Sequence, residues 1–247
     1  MIITKLYGGK ITLNFEEVPY HRFTINGRRI VSVTGATEII DKSRPLMIWA
    51  VRLAKEFLME KKIWKITDKG ETLLLIEEAG KQHTIRKKKA ADIGKQIHEW
   101  IEGWIKKKNP DIPENEKVRN GVIAFLKWQK KHKAKFIESE KIVYSKKYDY
   151  AGICDAVATI KGKKYIIDFK SSNRIYNEHR YQLAGYWLAL EEMTGKKFDG
   201  GLIIRFGKDT GEFENSDPIT RDEYEKNKEA FLGALTIKKR EKELTIN

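Results

Sequence analysis

Two apolar, strand-like segments joined by a tight turn constrain the fold of this chain more than any other feature. They cover residues 149–160 and 164–170, and both are rich in Ile, Val, Tyr and Phe. The turn Lys161-Gly162-Lys163 between them favours a two-residue hairpin loop. A further segment of the same texture covers 136–145, so we predict three consecutive strands that form an antiparallel meander.

Three charged side chains fall on the predicted hairpin among apolar neighbours. Asp155 lies on the first strand, whereas Asp168 and Lys170 share one face of the second because side chains alternate along a strand. With a loop at Gly162-Lys163, Asp155 lies opposite Lys170. With a loop one residue earlier, it lies opposite Asp168. In either register the three side chains converge on one face of the sheet.

The convergence of Asp155 and Asp168 indicates a metal site. The two carboxylates repel each other, and burial adds to the cost of their charges. A divalent cation would relieve both costs, and oxygen ligands suit one or two ions of Mg²⁺ or Mn²⁺. Such an ion polarises a phosphodiester and activates a water, which Lys170 would orient. The alternative is a simple ion pair between Asp168 and Lys170, which the position of Asp155 makes less favoured.

Four motifs resemble the PD-(D/E)XK nuclease superfamily. Gly152-x-x-Asp155 and Ile167-Asp168-x-Lys170-Ser171 are similar to its core. Gly94-x-x-x-His98 and Gln182-x-x-x-Tyr186 are similar to two motifs of its RecB-like branch, and all four occur in the order seen in that branch. The opening Val31-Ser32-Val33-Thr34 is similar to the N-terminal part of phage-type exonucleases of this branch, which also includes the mitochondrial genome-maintenance exonuclease.

The resemblance implies a role for each motif residue. The implied metal set consists of His98, Asp155, Asp168 and Phe169. The implied catalytic set consists of Asp155, Asp168, Lys170, Gln182 and Tyr186. The implied nucleic-acid contacts are Ser171, Ser172, Gln182 and Tyr186. Because an imidazole ligand makes a site more tolerant of Mn²⁺, we expect activity with Mn²⁺ at least comparable to that with Mg²⁺.

Several of these residues also have an ordinary structural interpretation. Taken alone, His98 fits a partly exposed helix histidine, and Tyr186 fits a core residue beside its apolar neighbours. Ser171 and Ser172 are equally consistent with turn residues. Glu140 on the preceding strand would either reach the metal or pair with a lysine, and the sequence favours the lysine.

The net charge of +14 makes nucleic acid the first candidate partner, since basic proteins bind phosphate backbones through counterion release. Lysine-rich runs at 87–89, 106–108 and 130–133 contribute to this charge, although each alone is typical of a solvated helix face. Cys154 is the only cysteine, which excludes an intramolecular disulfide framework and the four-cysteine iron–sulfur cluster of some RecB-like members.

The sequence also predicts the compartment. It shows no secretory signal and no apolar run long enough for a membrane span, so we expect no membrane association. We predict a cytoplasmic protein of a bacterial, archaeal or phage-infected cell. The absence of a Walker A motif excludes a built-in helicase motor of that type.

The remaining segments predict helices and strands around the meander. We expect strands within 2–34 and 199–215, and helices at 36–61, 85–107, 115–134, 176–194 and 219–240. Residues 62–83 are ambiguous, with a possible short helix at 73–76. The fold class is therefore mixed α/β, with a central mixed sheet flanked by helices, and the resemblance implies a restriction-endonuclease-like core.

We predict a single nuclease domain in three parts. These are an N-terminal hairpin and helical region (1–84), the core (85–215) and a C-terminal helix (216–247). The predicted function is a divalent-metal-dependent DNA nuclease. The resemblance implies an exonuclease on single-stranded ends in replication, recombination or repair, with a possible partner protein. The alternatives are an endonuclease of the same superfamily, a non-catalytic nucleic-acid-binding module, and a basic protein whose partner is another protein.

Overall fold

One mixed β-sheet flanked by helices forms the described part of this computed structural model, residues 1–17 and 21–245. Its strands are β1 (Ile2–Leu6), β2 (Ile11–Glu16), β3 (Arg22–Ile25), β4 (Arg28–Ser32), β5 (Lys135–Ser145), β6 (Tyr150–Ile160), β7 (Lys163–Lys170), β8 (Gly200–Phe206) and β9 (Phe213–Asn215). Its α-helices are α1 (Val33–Thr37), α2 (Ser43–Glu60), α3 (Lys69–Ile105), α4 (Glu116–His132), α5 (Asn177–Thr194) and α6 (Arg221–Thr245). The predicted fold class is confirmed.

The predicted meander is confirmed as β5, β6 and β7, which pair in antiparallel order. The strand order across the sheet is β1-β2-β3-β4-β6-β7-β8-β9, and β5 pairs with β6. β8 is parallel to β7, and α5 forms the connection between them, as a parallel pair requires. The predicted helices at 115–134, 176–194 and 219–240 are confirmed as α4, α5 and α6 with shifted ends.

The β6–β7 turn takes the earlier of the two predicted loop positions. Lys161 and Gly162 both have positive φ, at 49° and 80°, as a two-residue loop of type I′ requires. Ala156 pairs with Ile167 at the end of this ladder, and the same register extended by one residue would bring Asp155 opposite Asp168.

One edge of β6 changes its partner along the strand. β5 occupies the other edge over the length of β6. On the shared edge, β4 pairs with residues 150–151 and β7 pairs with residues 156–160. Residues 152–155 lie between these two partners, so Asp155 stands where β7 begins to separate from β6. The motif side chains gather at this separation.

The helix predicted at 36–61 is wrong as a continuous element, because α1 and α2 are separate. Ser32 accepts a hydrogen bond from the backbone N–H of Gly35 at 2.9 Å, so the first helix begins earlier than predicted. The chain then turns through residues 38–42 before α2. Pro45 does not interrupt α2, since it lies in the first turn, where its missing N–H costs no intrahelical bond.

The helix predicted at 85–107 is too short, because α3 begins at Lys69 and extends through much of the ambiguous segment 62–83. The carboxylate of Asp68 accepts the backbone N–H of Glu71 at 2.7 Å, a contact typical of a helix N-cap. A short 3-10 helix, Ile63–Lys65, precedes it. Gly70 and Gly80 lower the helix propensity of the first half of α3, so the sequence did not predict a helix over the whole of this region.

The chain divides into two units. Residues 1–40 and 97–247 form one, and residues 41–96 form the other. The first unit contains the sheet, α1, α4 to α6 and the last turns of α3. The second contains α2 and the rest of α3. Every residue of the predicted metal, catalytic and nucleic-acid sets lies in the first unit.

The core of the first unit lies on both faces of the sheet. On one face, α5 and α6 pack with β-strand residues in a buried cluster, where Trp187 stacks on Tyr224 with ring centroids 4.4 Å apart. On the other face, Phe125 of α4 contacts Phe169 and Phe206 edge to face. This burial holds β6, β7 and β8 rigidly under the motif residues. Among the described helices, none combines the length and the apolar character that a membrane crossing would need.

Candidate metal centre

Three side chains from three elements converge at the separation of β6 and β7. They are His98 from α3, Glu140 from β5 and Asp155 from β6, and one ligand atom of each lies within 4.8 Å of the others. Each of the three is partly buried. Two carboxylates and one imidazole at this spacing form a donor set that suits a divalent cation.

Glu140 reaches this group because of the β5–β6 register. The paired residues on either side of it leave Glu140 opposite Asp155, so the two side chains meet across the strands. Glu140 has a positive φ of 49°, which is uncommon for a residue with a side chain. Such backbone conformations cluster at functional sites, where the surrounding fold holds them in place.

The carboxylate of Asp155 is fixed by the backbone of β7. Its Oδ2 accepts a hydrogen bond from the N–H of Phe169 at 2.6 Å, while its Oδ1 lies 3.8 Å from Nδ1 of His98. Phe169 therefore orients an acid of the predicted metal set through its backbone. Its ring is buried in the aromatic cluster on the α4 face.

Asp168 and Lys170 form an ion pair beside this group. The Lys170 Nζ lies 2.7 Å from Oδ1 and 2.6 Å from Oδ2 of Asp168. The Asp168 side chain is 1% exposed, and its Oδ2 makes no hydrogen bond of good geometry. Asp168 is thus paired with Lys170. The second carboxylate of the group of three is that of Glu140, whereas the sequence predicted that of Asp168.

The surroundings of the acids at the site disfavour their charged forms. Burial, followed by the nearby Asp155 carboxylate, raises the pKa of Glu140 to about 8. Burial raises the pKa of Asp168 to about 6 against the opposing effect of the Lys170 ammonium. Burial also raises the pKa of Asp155. A bound cation would reverse this cost, because it favours the charged form of every carboxylate around it.

His98 is neutral at pH 7, as a ligand imidazole must be. Burial and then the Lys170 ammonium lower its pKa to about 4. Its side chain remains partly exposed, which leaves a route from solvent to the group. The chemistry of the donor set therefore fits a divalent metal ion. Cys154, next in sequence to Asp155, is buried and does not belong to the group.

Gln182 and Tyr186 lie on the same face of α5 and bond to each other. The Gln182 Nε2 donates to the Tyr186 hydroxyl at 2.8 Å. Tyr186 is buried in the core cluster beside Gly152, and burial raises the pKa of its hydroxyl. Gln182 is the partly exposed member of the pair, so it is the one able to meet a substrate.

Ser171 and Ser172 follow β7 directly and are partly exposed. The Ser172 hydroxyl donates to the backbone carbonyl of Arg174 at 2.8 Å, which is a turn contact. Both residues lie next to Lys170 and close to the site.

For Glu140 the sequence favoured a pair with a lysine, whereas the structure places it in the group of possible metal ligands. Its spacing on β5 relative to Asp155 was the available signal, because the register is regular from the β5–β6 turn to Glu138. Its left-handed backbone conformation left no trace in the hydrophobic pattern.

Searches against models of protein families and against curated proteins give no match for this chain. The family resemblance therefore rests on the four motifs.

Proposed function

We propose that this protein is a metal-dependent DNA nuclease of the PD-(D/E)XK kind. One observation carries the proposal: His98, Glu140 and Asp155 form a group of possible metal ligands directly beside the Asp168–Lys170 ion pair. Two carboxylates, an imidazole and a lysine in one partly open site match the requirements of metal-assisted phosphodiester hydrolysis. The net charge of +14 supports a polyanionic substrate.

Each residue of the proposed site has a distinct role. When bound, a Mg²⁺ or Mn²⁺ ion supplies charge stabilisation and activation of water. Asp155 holds one carboxylate oxygen toward His98, because Phe169 fixes the other oxygen. Lys170, held in place by Asp168, presents its ammonium to the charge that develops on the phosphate. Gln182 positions the substrate, and Tyr186 holds Gln182.

Single-stranded DNA ends are the substrate that we propose, on the basis of the motif resemblance. The proposal places the protein in replication, recombination or repair, in the cytoplasm, with a possible partner from those processes. Endonucleolytic action is the alternative that the first experiment separates.

The test uses end-labelled linear single-stranded DNA and a covalently closed single-stranded circle. Wild-type protein is incubated with each substrate in Mn²⁺, Mg²⁺ or EDTA, alongside Lys170→Ala and the matched control Lys163→Ala. Lys163 begins the same strand and is exposed. We expect metal-dependent loss of the linear strand alone. In Lys170→Ala, the rate of this loss should fall by a factor of about 100 or more.

Each outcome has a clear meaning when thermal melting shows that the variants are folded. Loss of the circle as well would make the protein an endonuclease. No cleavage with any metal, or full activity in Lys170→Ala, would overturn the proposed site. Equal loss of activity in Lys163→Ala would show that the effect is not specific to Lys170.

A further inference from the structure

A small basic cleft lies at the carboxyl ends of the parallel strands β7 and β8, beside the candidate metal centre. It has a volume of about 220 Å³ and is lined by Ser172, Asn173, Arg205, Lys208, Asp209 and Thr210, with the turn at Gly207. The carboxyl ends of parallel strands are where open α/β sheets most often bind ligands. The nuclease proposal assigns no role to this cleft beyond the possible contact of Ser172.

The sheet register connects the cleft to the site. Lys170 of β7 pairs with Arg205 of β8, and Asp168 pairs with Ile203. Paired residues of neighbouring strands share a face, and the strands lie about 4.8 Å apart. Arg205 is therefore the next residue beyond Lys170 on the face that carries the Asp168–Lys170 ion pair.

The guanidinium of Arg205 is oriented but not saturated. Its Nε donates to Oε2 of Glu214 on β9 at 2.6 Å. Among the described residues, the two terminal nitrogens of this guanidinium have no hydrogen-bond partner. Because a guanidinium presents several donors in a fixed fork, these terminal donors can bind a phosphate while Nε stays on Glu214.

The loop between β8 and β9 is fixed by α4. Lys117 pairs with Asp209 at 2.7 Å, and the Asn120 side chain donates to the backbone carbonyl of Lys208 at 3.2 Å. Lys117 balances the charge of Asp209 and Glu214 balances that of Arg205, so Lys208 carries the net positive charge of the cleft. A loop held in this way offers a preformed anion site.

The turn at Gly207 leaves no room for a side chain. A Cβ there would stand 2.5 Å from Oγ1 of Thr210 and 2.9 Å from the carbonyl oxygen of Glu212. Arg205, Lys208 and Thr210 all line the same small cavity, with the turn between them.

We propose that this cleft binds a backbone phosphate of the substrate strand, next to the phosphate that is cleaved. The proposal rests on the nuclease function proposed above, since the position of the cleft is defined relative to Lys170. The second phosphate would bind one β-strand away from Lys170. This contact fixes the position of the substrate DNA, and it therefore fixes the linkage at which cleavage occurs.

The first test measures binding without cleavage. Affinity for a short single-stranded oligonucleotide is measured in EDTA at several salt concentrations for wild-type protein, Arg205→Gln and Lys208→Gln. We expect each variant to bind about 5- to 20-fold more weakly and to lower the log–log salt slope by about 0.7, the value for one lost phosphate contact. The matched control is Arg240→Gln, an exposed arginine of α6 that should leave both quantities unchanged.

Glu214→Gln separates the phosphate contact from the ion pair. This variant breaks the same Arg205–Glu214 interaction but keeps the arginine. We expect its affinity to equal or exceed that of the wild type, because a competing carboxylate has been removed. An equal loss of affinity in Glu214→Gln and Arg205→Gln would show that the loss comes from the broken ion pair between β8 and β9, not from a lost phosphate contact. That result would overturn the proposal.

The second test locates the phosphate on the substrate. Neutral methylphosphonate linkages are placed one at a time along the oligonucleotide, and binding and cleavage are measured for each. In the wild type, we expect a neutral linkage beside the cleaved one to weaken binding and slow cleavage. In the Arg205→Gln, Lys208→Gln double variant, the same neutral linkage should have no effect. Equal sensitivity in both proteins would contradict the phosphate site.

The two proposals fail in different ways. If one linkage depends on Arg205 in EDTA but no metal supports cleavage, the phosphate site stands and the nuclease function fails. If the double variant cleaves with unchanged KM and kcat at the same linkage, the nuclease function stands and the phosphate site fails.

Discussion

Glu140 of β5 lies opposite Asp155 of β6 and holds a left-handed backbone conformation with φ of 49°. Strain of this kind costs about 1–3 kcal/mol, and the close approach of a second buried acid adds to that cost. A divalent cation held by Glu140 and Asp155, as the proposed metal site implies, would offset the electrostatic cost.

Replacement of Glu140 by Gln should weaken metal binding without harming the fold. The amide removes the repulsion with Asp155, so the free energy of unfolding in EDTA should stay equal or rise. Mn²⁺ affinity should fall about tenfold or more, since one anionic ligand is lost. Isothermal titration with Mn²⁺, together with the Mn²⁺-induced rise in Tm, measures this effect.

Glu138→Gln is the matched control, because Glu138 lies on the same strand and pairs with Lys141 outside the group of three. It should keep the Mn²⁺ response of the wild type. A Glu140→Gln variant with the full Mn²⁺ response would remove Glu140 from the metal site.

The Asp168–Lys170 pair should show strong coupling in a double-mutant cycle. Lys170→Met leaves a buried carboxylate without its partner and should cost about 3 kcal/mol of unfolding free energy at pH 8. The double variant Asp168→Asn, Lys170→Met should recover much of this loss, because no uncompensated charge remains. Urea denaturation in EDTA gives the four free energies.

The pH dependence of Lys170→Met has a defined sign. Burial already raises the pKa of Asp168 to about 6 in the presence of Lys170, and loss of the ammonium removes an opposing influence. An acid with a raised pKa in the folded state destabilises the fold as pH rises above its unfolded value. Lys170→Met should therefore recover stability from pH 8 to pH 5, and a pH-independent loss would show that Asp168 is not the cause.

The hairpin and the order of the motifs could be predicted from the sequence because they depend on local rules. The Asn26-Gly27 and Lys161-Gly162 turns both have the positive φ values of a two-residue hairpin loop, which Asn26 and the two glycines favour. Alternation along β7 then places Asp168 and Lys170 on one face. The sequence interpretation favoured a shared metal site over a simple ion pair between these two residues, whereas the structure shows that ion pair.

The place of Glu140 was missed because it depends on the pairing of β5 with β6 and on an unusual φ. Neither feature changes the hydrophobic pattern. The early start of α1 was missed for a similar reason, since it depends on a side-chain cap at Ser32 rather than on periodicity. Capping and strain act on single residues, whereas the pattern reports averages over a turn or more.

Gly152 should tolerate no side chain, because it lies against the residues behind the metal centre. A Cβ there would stand 2.7 Å from Cε1 of Tyr186 and 2.9 Å from Cγ2 of Val33. Gly152→Ala should therefore destabilise the protein by about 1–3 kcal/mol through overpacking. It should also reduce activity, since the displacement of Tyr186 moves Gln182.

Gly233→Ala is the control for this substitution. Gly233 lies inside α6, and a Cβ there meets no atom within 4 Å. The change should stabilise the protein by about 0.5–1 kcal/mol, because alanine loses less conformational freedom in a helix than glycine. Thermal melting of both variants decides the matter, and equal effects at the two positions would contradict the packing argument.

Glu191 should make a pH-dependent contribution to stability far from the metal centre. Burial raises the pKa of its carboxyl, but hydrogen bonds from Arg221, Trp187 and Lys197 outweigh burial and lower the pKa to about 2. Because the folded pKa is depressed, the stabilisation is present above the unfolded value near 4.5 and is lost as pH falls toward 2.

Glu191→Gln should therefore cost about 1–2 kcal/mol at pH 7, an amount that allows for solvent screening of the pairs with Arg221 and Lys197. The difference from the wild type should shrink to about half near pH 3, because the wild-type carboxylate is then losing its advantage. Urea denaturation at pH 7, 4 and 3 measures this convergence. Glu225→Gln, which alters a half-buried pair with Lys228 within α6, should change little. Parallel pH profiles for the wild type and Glu191→Gln would show that the Glu191 network does not control acid stability.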